Sequence, residues 1–300
     1  MDLHRLEIFV KVAELKSFTL AAEALRLSQP TVSEHIRTLE EMAEETLVDR
    51  LGRELRLTPA GQILHRYAVK LLHLREEALQ ALAAYRGELA GRVVIGASTI
   101  PGSYLLPQIM GAFKSKHPSV QITLKIANTA AVGEMVLKGE AGLGLVGSRL
   151  PEKRLSYEEV YLDELTLAVG PEHPWAARRE VELAELYGQA FIVRERGSGT
   201  QMAVQTILGE HGLDFSKLKV AAEMPNTEAV RQSIKAGVGL GILSRLAVAA
   251  ELKYGDLVAV NIRGIKLNRP LYLVERLGRE LPLVYAAFRK YVKAREQGPV

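Results

Sequence analysis

The sequence predicts an α/β protein with a helix-rich N-terminal part, and three observations carry that expectation. Residues 17–42 read as two amphipathic helices joined by a very short turn. Residues 59–88 read as one long helix. From residue 92 onward, short β runs alternate with helices, which is the pattern of an α/β architecture with a mostly parallel sheet. Three hundred residues, 48% of them hydrophobic, supply material for about two cored domains. There is no cysteine. That excludes disulfides, cysteine nucleophiles and thiolate metal sites, and fits a reducing compartment.

Taken in order, Leu3, Leu6, Phe9, Val10 and Ala13 make one apolar face of a helix over 2–14. Ser17 is the N-cap of a second helix carrying Leu20, Ala21, Ala24 and Leu25. The chain breaks at Arg26-Leu27-Ser28. Ser28 or Gln29 caps a third helix, and Pro30 fits its first turn, where a missing N–H costs nothing. Val32, Ile36 and Leu39 form its inward stripe, which leaves Gln29, Thr31, Ser33, Glu34 and Arg37 facing out. A short polar face of this kind suits the floor of a DNA major groove. An ordinary amphipathic helix pair shares the spacing, so the wording of the segment has to separate the two.

That wording is Ala21-Ala22-Glu23-Ala24-Leu25, then Ser28-Gln29-Pro30-Thr31-Val32-Ser33, then Ile36-Arg37-Thr38-Leu39-Glu40. It resembles the helix-turn-helix of LysR-type transcriptional regulators. Phe9 and Val12 before it, and the run from Arg50 to Gly61 after it, continue the resemblance, which is close over about 60 residues. One segment departs from the family. Ala43-Glu44-Glu45 stands where the family carries a glycine that ends the helix in the left-handed conformation. Glu44 must either take that conformation at a steric cost or let the helix run on.

Leu55-Arg56-Leu57-Thr58 reads as the second strand of a β-wing, with 51–54 near its tip. Thr58-Pro59 is a helix start. In the long helix, Leu64, Leu71, Ala78 and Tyr85 recur every seven residues, and Tyr67, Leu74 and Ala81 fill the alternate positions. That spacing makes a coiled-coil-like seam of about three heptads. The resemblance implies that the seam dimerises the chain and delivers two recognition helices to one palindrome-like site. It also implies a winged helix-turn-helix over 1–58, a linker helix over 59–90, and a two-lobed periplasmic-binding-protein-like effector domain over 91–300. Its lobe I would be 92–162 plus 268–297, and its lobe II 163–267. Gln29, Pro30, Thr31, Ser33 and Arg37 would then lie near bases or flanking phosphates, with Arg50, Arg53 and Arg56 gripping the backbone or minor groove.

Bulk charge does not single out a DNA-binding end. Residues 1–90 hold 12 Lys and Arg against 14 Asp and Glu, whereas 91–300 hold 27 against 21. Local placement matters more, because phosphates respond to nearby cations. In the C-terminal part, three polar loops follow strands and open helices: Ser98-Thr99, Asn128-Thr129, and Arg194 to Thr200 with Arg196 and Ser198. Helix N-termini attract anions, and an arginine can neutralise a carboxylate. A small anionic effector is therefore expected there. Asn226 and Gly147-Ser148 are second-rank candidates, since Ser, Thr, Gly and Asn are also routine cap residues.

No catalytic constellation stands out, and the chain is expected not to be an enzyme. The seven histidines show no metal-like pairing with acids. Gly237-Val238-Gly239-Leu240-Gly241 lacks dinucleotide-loop spacing and precedes a strand instead of following one. No cofactor and no metal are expected. The expected partners are double-stranded DNA, a small-molecule effector, a second copy of the chain and, by family analogy, a homotetramer and RNA polymerase. No signal peptide or membrane span is visible, so a cytoplasmic location is expected. The competing class is a cytoplasmic small-molecule-binding module whose N-terminal domain contacts protein. Two substitutions separate the roles within the DNA reading. Arg53→Ala is expected to weaken binding to all duplexes alike and lower the salt slope by about one, whereas Gln29→Ala relaxes specificity at one base pair by about 1–3 kcal/mol. Fluorescence anisotropy over a salt series reads both.

Overall fold

The computed structural model describes residues 1–49, 55–85 and 89–294. The chain divides into two compact units, Met1–Gly91 and Arg92–Val300.

The first unit opens with three helices, α1 (Leu3–Leu15), α2 (Phe18–Leu25) and α3 (Gln29–Ala43). Each is started by a side chain that accepts a bond from a free backbone N–H of the first turn. Asp2 accepts from Arg5 N at 2.8 Å, Ser17 from Leu20 N at 3.2 Å, and Ser28 from Thr31 N at 3.2 Å. Leu6, Phe9, Val12, Ala21, Val32, Ile36 and Leu39 interlock as the core. Strand β1 (Val48–Asp49) pairs antiparallel with β2 (Arg56–Leu57). The wing tip at 51–54, with Arg50 and Arg53, lies outside the described residues.

Glu44 resolves the choice posed by the sequence. It ends α3 at φ 52°, ψ 28°, in the left-handed region. The helix stops there, so the strain falls on a residue with a Cβ. The chain is then held by Glu40, whose carboxylate accepts from the N–H groups of Leu47 at 2.9 Å and Val48 at 3.2 Å. Thr58 donates its hydroxyl to Thr46 O at 2.6 Å and accepts from Gly61 N at 3.0 Å, starting α4 (Pro59–Tyr85). Gly61 is required by close approach, because a Cβ there would sit 2.0 Å from the Leu47 carbonyl oxygen. Helix α4 is about 40 Å long. Its Leu64 packs on the unit's own core, whereas Tyr67, Leu71, Leu74 and Ala78 are exposed, as are Ile63, Leu79 and Leu82. The side chains of Ala81 and Tyr85 lie outside the described set.

The second unit is built on one long strand. β3 (Gly91–Ala97) leads through a π-turn at Pro101–Leu105 into α5 (Leu106–Lys116), followed by β4 (Val120–Ile126), α6 (Thr129–Lys138) and β5 (Leu143–Val146). Then comes β6 (Leu155–Val169), with β7 (Glu180–Val181), a 3-10 turn at Leu183–Gly188, β8 (Ala190–Arg194), α7 (Gly199–Glu210), β9 (Lys219–Met224) and α8 (Thr227–Lys235) after it. The chain finishes with β10 (Gly241–Ser244), α9 (Arg245–Tyr254), β11 (Val258–Ile262), β12 (Asn268–Arg276) and α10 (Leu283–Lys293). The strand order is β4-β3-β5-β12-β6-β11-β7, with β10 also on β6 and β8 paired with β9.

This arrangement corrects the expectation of a mostly parallel sheet. β3/β5, β8/β9 and β7/β11 are parallel, but β6 pairs antiparallel with β12, β10 and β11, and β12 pairs antiparallel with β5. The first ten residues of β6 alternate too many charges to read as a buried strand, so the sequence shows only its apolar end at 165–169. β6 changes partners along its length. Leu155–Glu164 lies against β12, and Leu165–Val169 lies against β10 and β11. Glu44→Gly is expected to stabilise the chain by about 1 kcal/mol by removing the left-handed penalty, a gain that thermal or urea denaturation detects.

Candidate functional sites

On the first unit, the exposed face of α3 carries Gln29, Pro30, Glu34 and Arg37. Gln29 donates its amide to Ser33 Oγ at 2.9 Å, and Ser28 and Thr31 share a hydroxyl bond of 2.7 Å. Arg37 donates to Glu34 at 2.8 Å and lies 3.6 Å from Glu41. These groups form a polar face of donors and acceptors on a helix whose opposite side is locked into a core. His35 does not join it, because its ring packs edge-on against His4 at 5.5 Å. Arg56 is exposed on β2.

On the second unit, the ends of β3, β8 and β12 and the N-termini of α6 and α7 converge on a small cavity. Ser98, Thr99, Asn128, Thr129, Arg194, Ser198 and Thr200 line it, and Arg269 joins them. Asn128 caps α6 by accepting from Ala131 N at 3.0 Å, and Ser198 caps α7 by accepting from Gln201 N at 3.4 Å. Gly197 takes φ +91°, and its carbonyl accepts from Ala130 N at 3.4 Å, which ties the two helix starts together. Thr129 is fully buried, and its hydroxyl has no hydrogen-bond partner among the described residues. An unmet buried hydroxyl is costly, and this one belongs to a residue of the cavity wall, packed against Gly199.

Two buried guanidinium groups supply the charge. Arg194 donates through Nε and Nη2 to the Glu195 carboxylate at 2.7 and 3.0 Å, and through Nη1 to Thr227 Oγ1 at 2.8 Å. Arg269 donates through Nε to Asp163 Oδ2 at 2.9 Å, with Nη2 in ion-pair contact with the same oxygen at 2.9 Å, and donates through Nη1 to Thr200 Oγ1 at 3.0 Å. Asp163 is fully buried and also accepts from Ser244 Oγ at 2.6 Å. Burial pushes the Asp163 carboxyl up from its ordinary value, opposed by the Arg269 charge and the Ser244 bond. Burial likewise pulls Arg269 down, opposed by Asp163, and the nearby Arg194 charge adds to the downward pull. Each guanidinium has five N–H donors, more than these bonds use.

The sequence matches two family models, the "Bacterial regulatory helix-turn-helix protein, lysR family" over residues 3–62 and the "LysR substrate binding domain" over 86–297. A "Probable RuBisCO transcriptional regulator" of Cyanidioschyzon merolae is 34% identical over 280 residues, covering 92% of each chain. The protein belongs to the LysR family of transcriptional regulators. The regulator's fold also superposes on full-length CbnR complexed with its target DNA, at TM-score 0.72 and 22% identity over 98% of this chain and 99% of that one. The regulatory domain of Synechocystis PCC6803 CcmR, in complex with 2-PG, matches at TM-score 0.63 and 27% identity, covering 69% of this chain and 98% of that domain.

Of the residues singled out from sequence, the structure gathers seven around the cavity and leaves Arg196, Asn226, Gly147 and Ser148 outside its lining; Ser148 instead donates its hydroxyl to Gly199 O at 3.0 Å. Arg196 is exposed in the turn after β8, outside the lining. Asn226 spends its carboxamide oxygen capping α8 through Ala229 N at 2.8 Å and does not line the cavity either. Arg269 was missed because it stands at the start of a strand with no loop or cap signal around it, and its partner Asp163 is more than a hundred residues away. No cluster of His, Asp or Glu able to hold a metal occurs among the described residues, and no described helix is long and apolar enough to cross a membrane. Asp163→Asn is expected to cost about 3–5 kcal/mol of stability, because it strands the buried Arg269 charge, and urea denaturation reads the loss.

Proposed function

We propose that this LysR-family regulator senses a small anion in the cavity beside Arg194 and Arg269 and converts its binding into a changed grip on DNA. The observation that carries the proposal is the convergence of two helix N-termini, two guanidinium groups and the orphan Thr129 hydroxyl on one small space. Helix starts and arginines favour phosphate and carboxylate. The CcmR domain solved with 2-PG supports the same chemistry and makes 2-phosphoglycolate the first compound to try.

In this reading Gln29, Pro30, Thr31, Ser33 and Arg37 meet bases or flanking phosphates, and Arg50, Arg53 and Arg56 meet the backbone from the wing. The apolar stripe Tyr67, Leu71, Leu74 and Ala78 on α4 is the dimer seam, since four exposed apolar positions at heptad-like spacing find cover in a second copy. Two such dimers would form the tetramer that family analogy implies. The lobes, 92–162 with 268–297 and 163–267, would close on the anion and alter the spacing of paired recognition helices on DNA.

Thr129→Val tests the site at its least structural point. Replacing an unpartnered buried hydroxyl by a methyl of the same shape leaves stability unchanged or raised, yet removes a ligand contact worth about 1 kcal/mol. With the full-length chain, 2-phosphoglycolate, phosphate or sulfate is expected to raise the melting temperature of the wild type, and the variant should need several-fold more ligand for the same shift. A wild type indifferent to every anion removes the effector assignment.

A further inference from the structure

Along α3 the exposed positions Pro30, Glu34, Arg37 and Glu41 form one outer line. At 3.6 residues per turn, Glu34 stands opposite the buried Val32, Ile36 and Leu39. Since those three anchor the helix in its own core, Glu34 points away from that core, towards whatever the helix faces. It is an odd group to aim at DNA, because a carboxylate meets a field of phosphates. Two features change that sign. The Arg37 guanidinium holds Glu34 at 2.8 Å, so the two travel as a nearly neutral pair. A carboxylate is also acceptor-only, so on the groove floor it can bond only to an amino group.

The base edges then choose among themselves. Guanine shows two acceptors, and thymine an acceptor and a methyl. Adenine flanks its amino group with the N7 acceptor. Cytosine alone offers a donor with no acceptor on its own edge. Its guanine partner offers the O6 and N7 acceptors that a guanidinium matches, and Arg37 lies one turn further along the same line. We propose that Glu34 is a specificity-determining residue that selects cytosine at one position of each half-site, accepting from cytosine N4 while Arg37 offsets its charge.

This inference rests on the proposed DNA reading of α3, and the competing account predicts the opposite sign. If Glu34 is only a solvated partner of Arg37, its charge opposes DNA, and removing it tightens binding to every sequence alike. The experiment is selection of the full-length chain on a duplex library with randomised half-sites, followed by anisotropy on the enriched duplex at fixed salt. The wild type is expected to enrich cytosine at one position per half-site. Glu34→Ala should lose that preference, and Glu34→Gln should move it towards adenine, each binding the cytosine duplex about tenfold more weakly. Variants that keep the wild-type preference while binding all duplexes more tightly overturn the assignment of Glu34 and leave the DNA reading standing. A wild type that enriches no sequence overturns both. Unchanged melting temperatures of the two variants confirm that recognition, not folding, is being read.

Discussion

The second unit depends on a buried ion pair placed where its central strand changes partners. Asp163 and Arg269 face each other in register on β6 and β12, just before β6 leaves β12 for β10 and β11. Taking both charges out of water is expensive, and such pairs persist only when the remaining donors and acceptors are met. Here Ser244 meets the carboxylate and Thr200 meets the guanidinium. The four residues come from four separate elements, so the pair fixes register at the crossing as well as the wall of the cavity. Gly147 completes the fit, because a Cβ there would lie 2.7 Å from Arg269 Nη1.

The first unit obeys a different constraint. Its first three helices are short, and short helices are not stable alone. Their starts are fixed by side-chain caps and their inner faces by one core, which leaves the outer face of α3 free to be polar. Three helix ends, at Lys16, Arg26 and Glu44, use the left-handed conformation without glycine. Tight turns between helices are thus kept at a local steric cost that the shared core outweighs.

What was legible in the sequence follows from how far apart the determinants lie. Ser17, Ser28, Thr58-Pro59, Asn128 and Ser198 act within three residues of themselves, and the caps they make could be read directly. The stripe Val32, Ile36 and Leu39 was equally plain. Arg194 and Arg196 were not separable, because only the fold shows that the first is drawn inward by Glu195 and Thr227 while the second turns to solvent. Arg269 and the polar half of β6 were invisible, since their burial depends on strands a hundred residues away. The orphaned state of Thr129 is likewise a property of packing, with no local signature.

The Glu40 carboxylate, clasping the amides of Leu47 and Val48, has a consequence for motion. A recognition helix bonded through its own side chain to the strand beside it cannot swivel against that strand without breaking two bonds to an ion. Helix and strand therefore travel as a single stiff jaw. Any adjustment to a differently spaced operator falls to joints elsewhere in the chain.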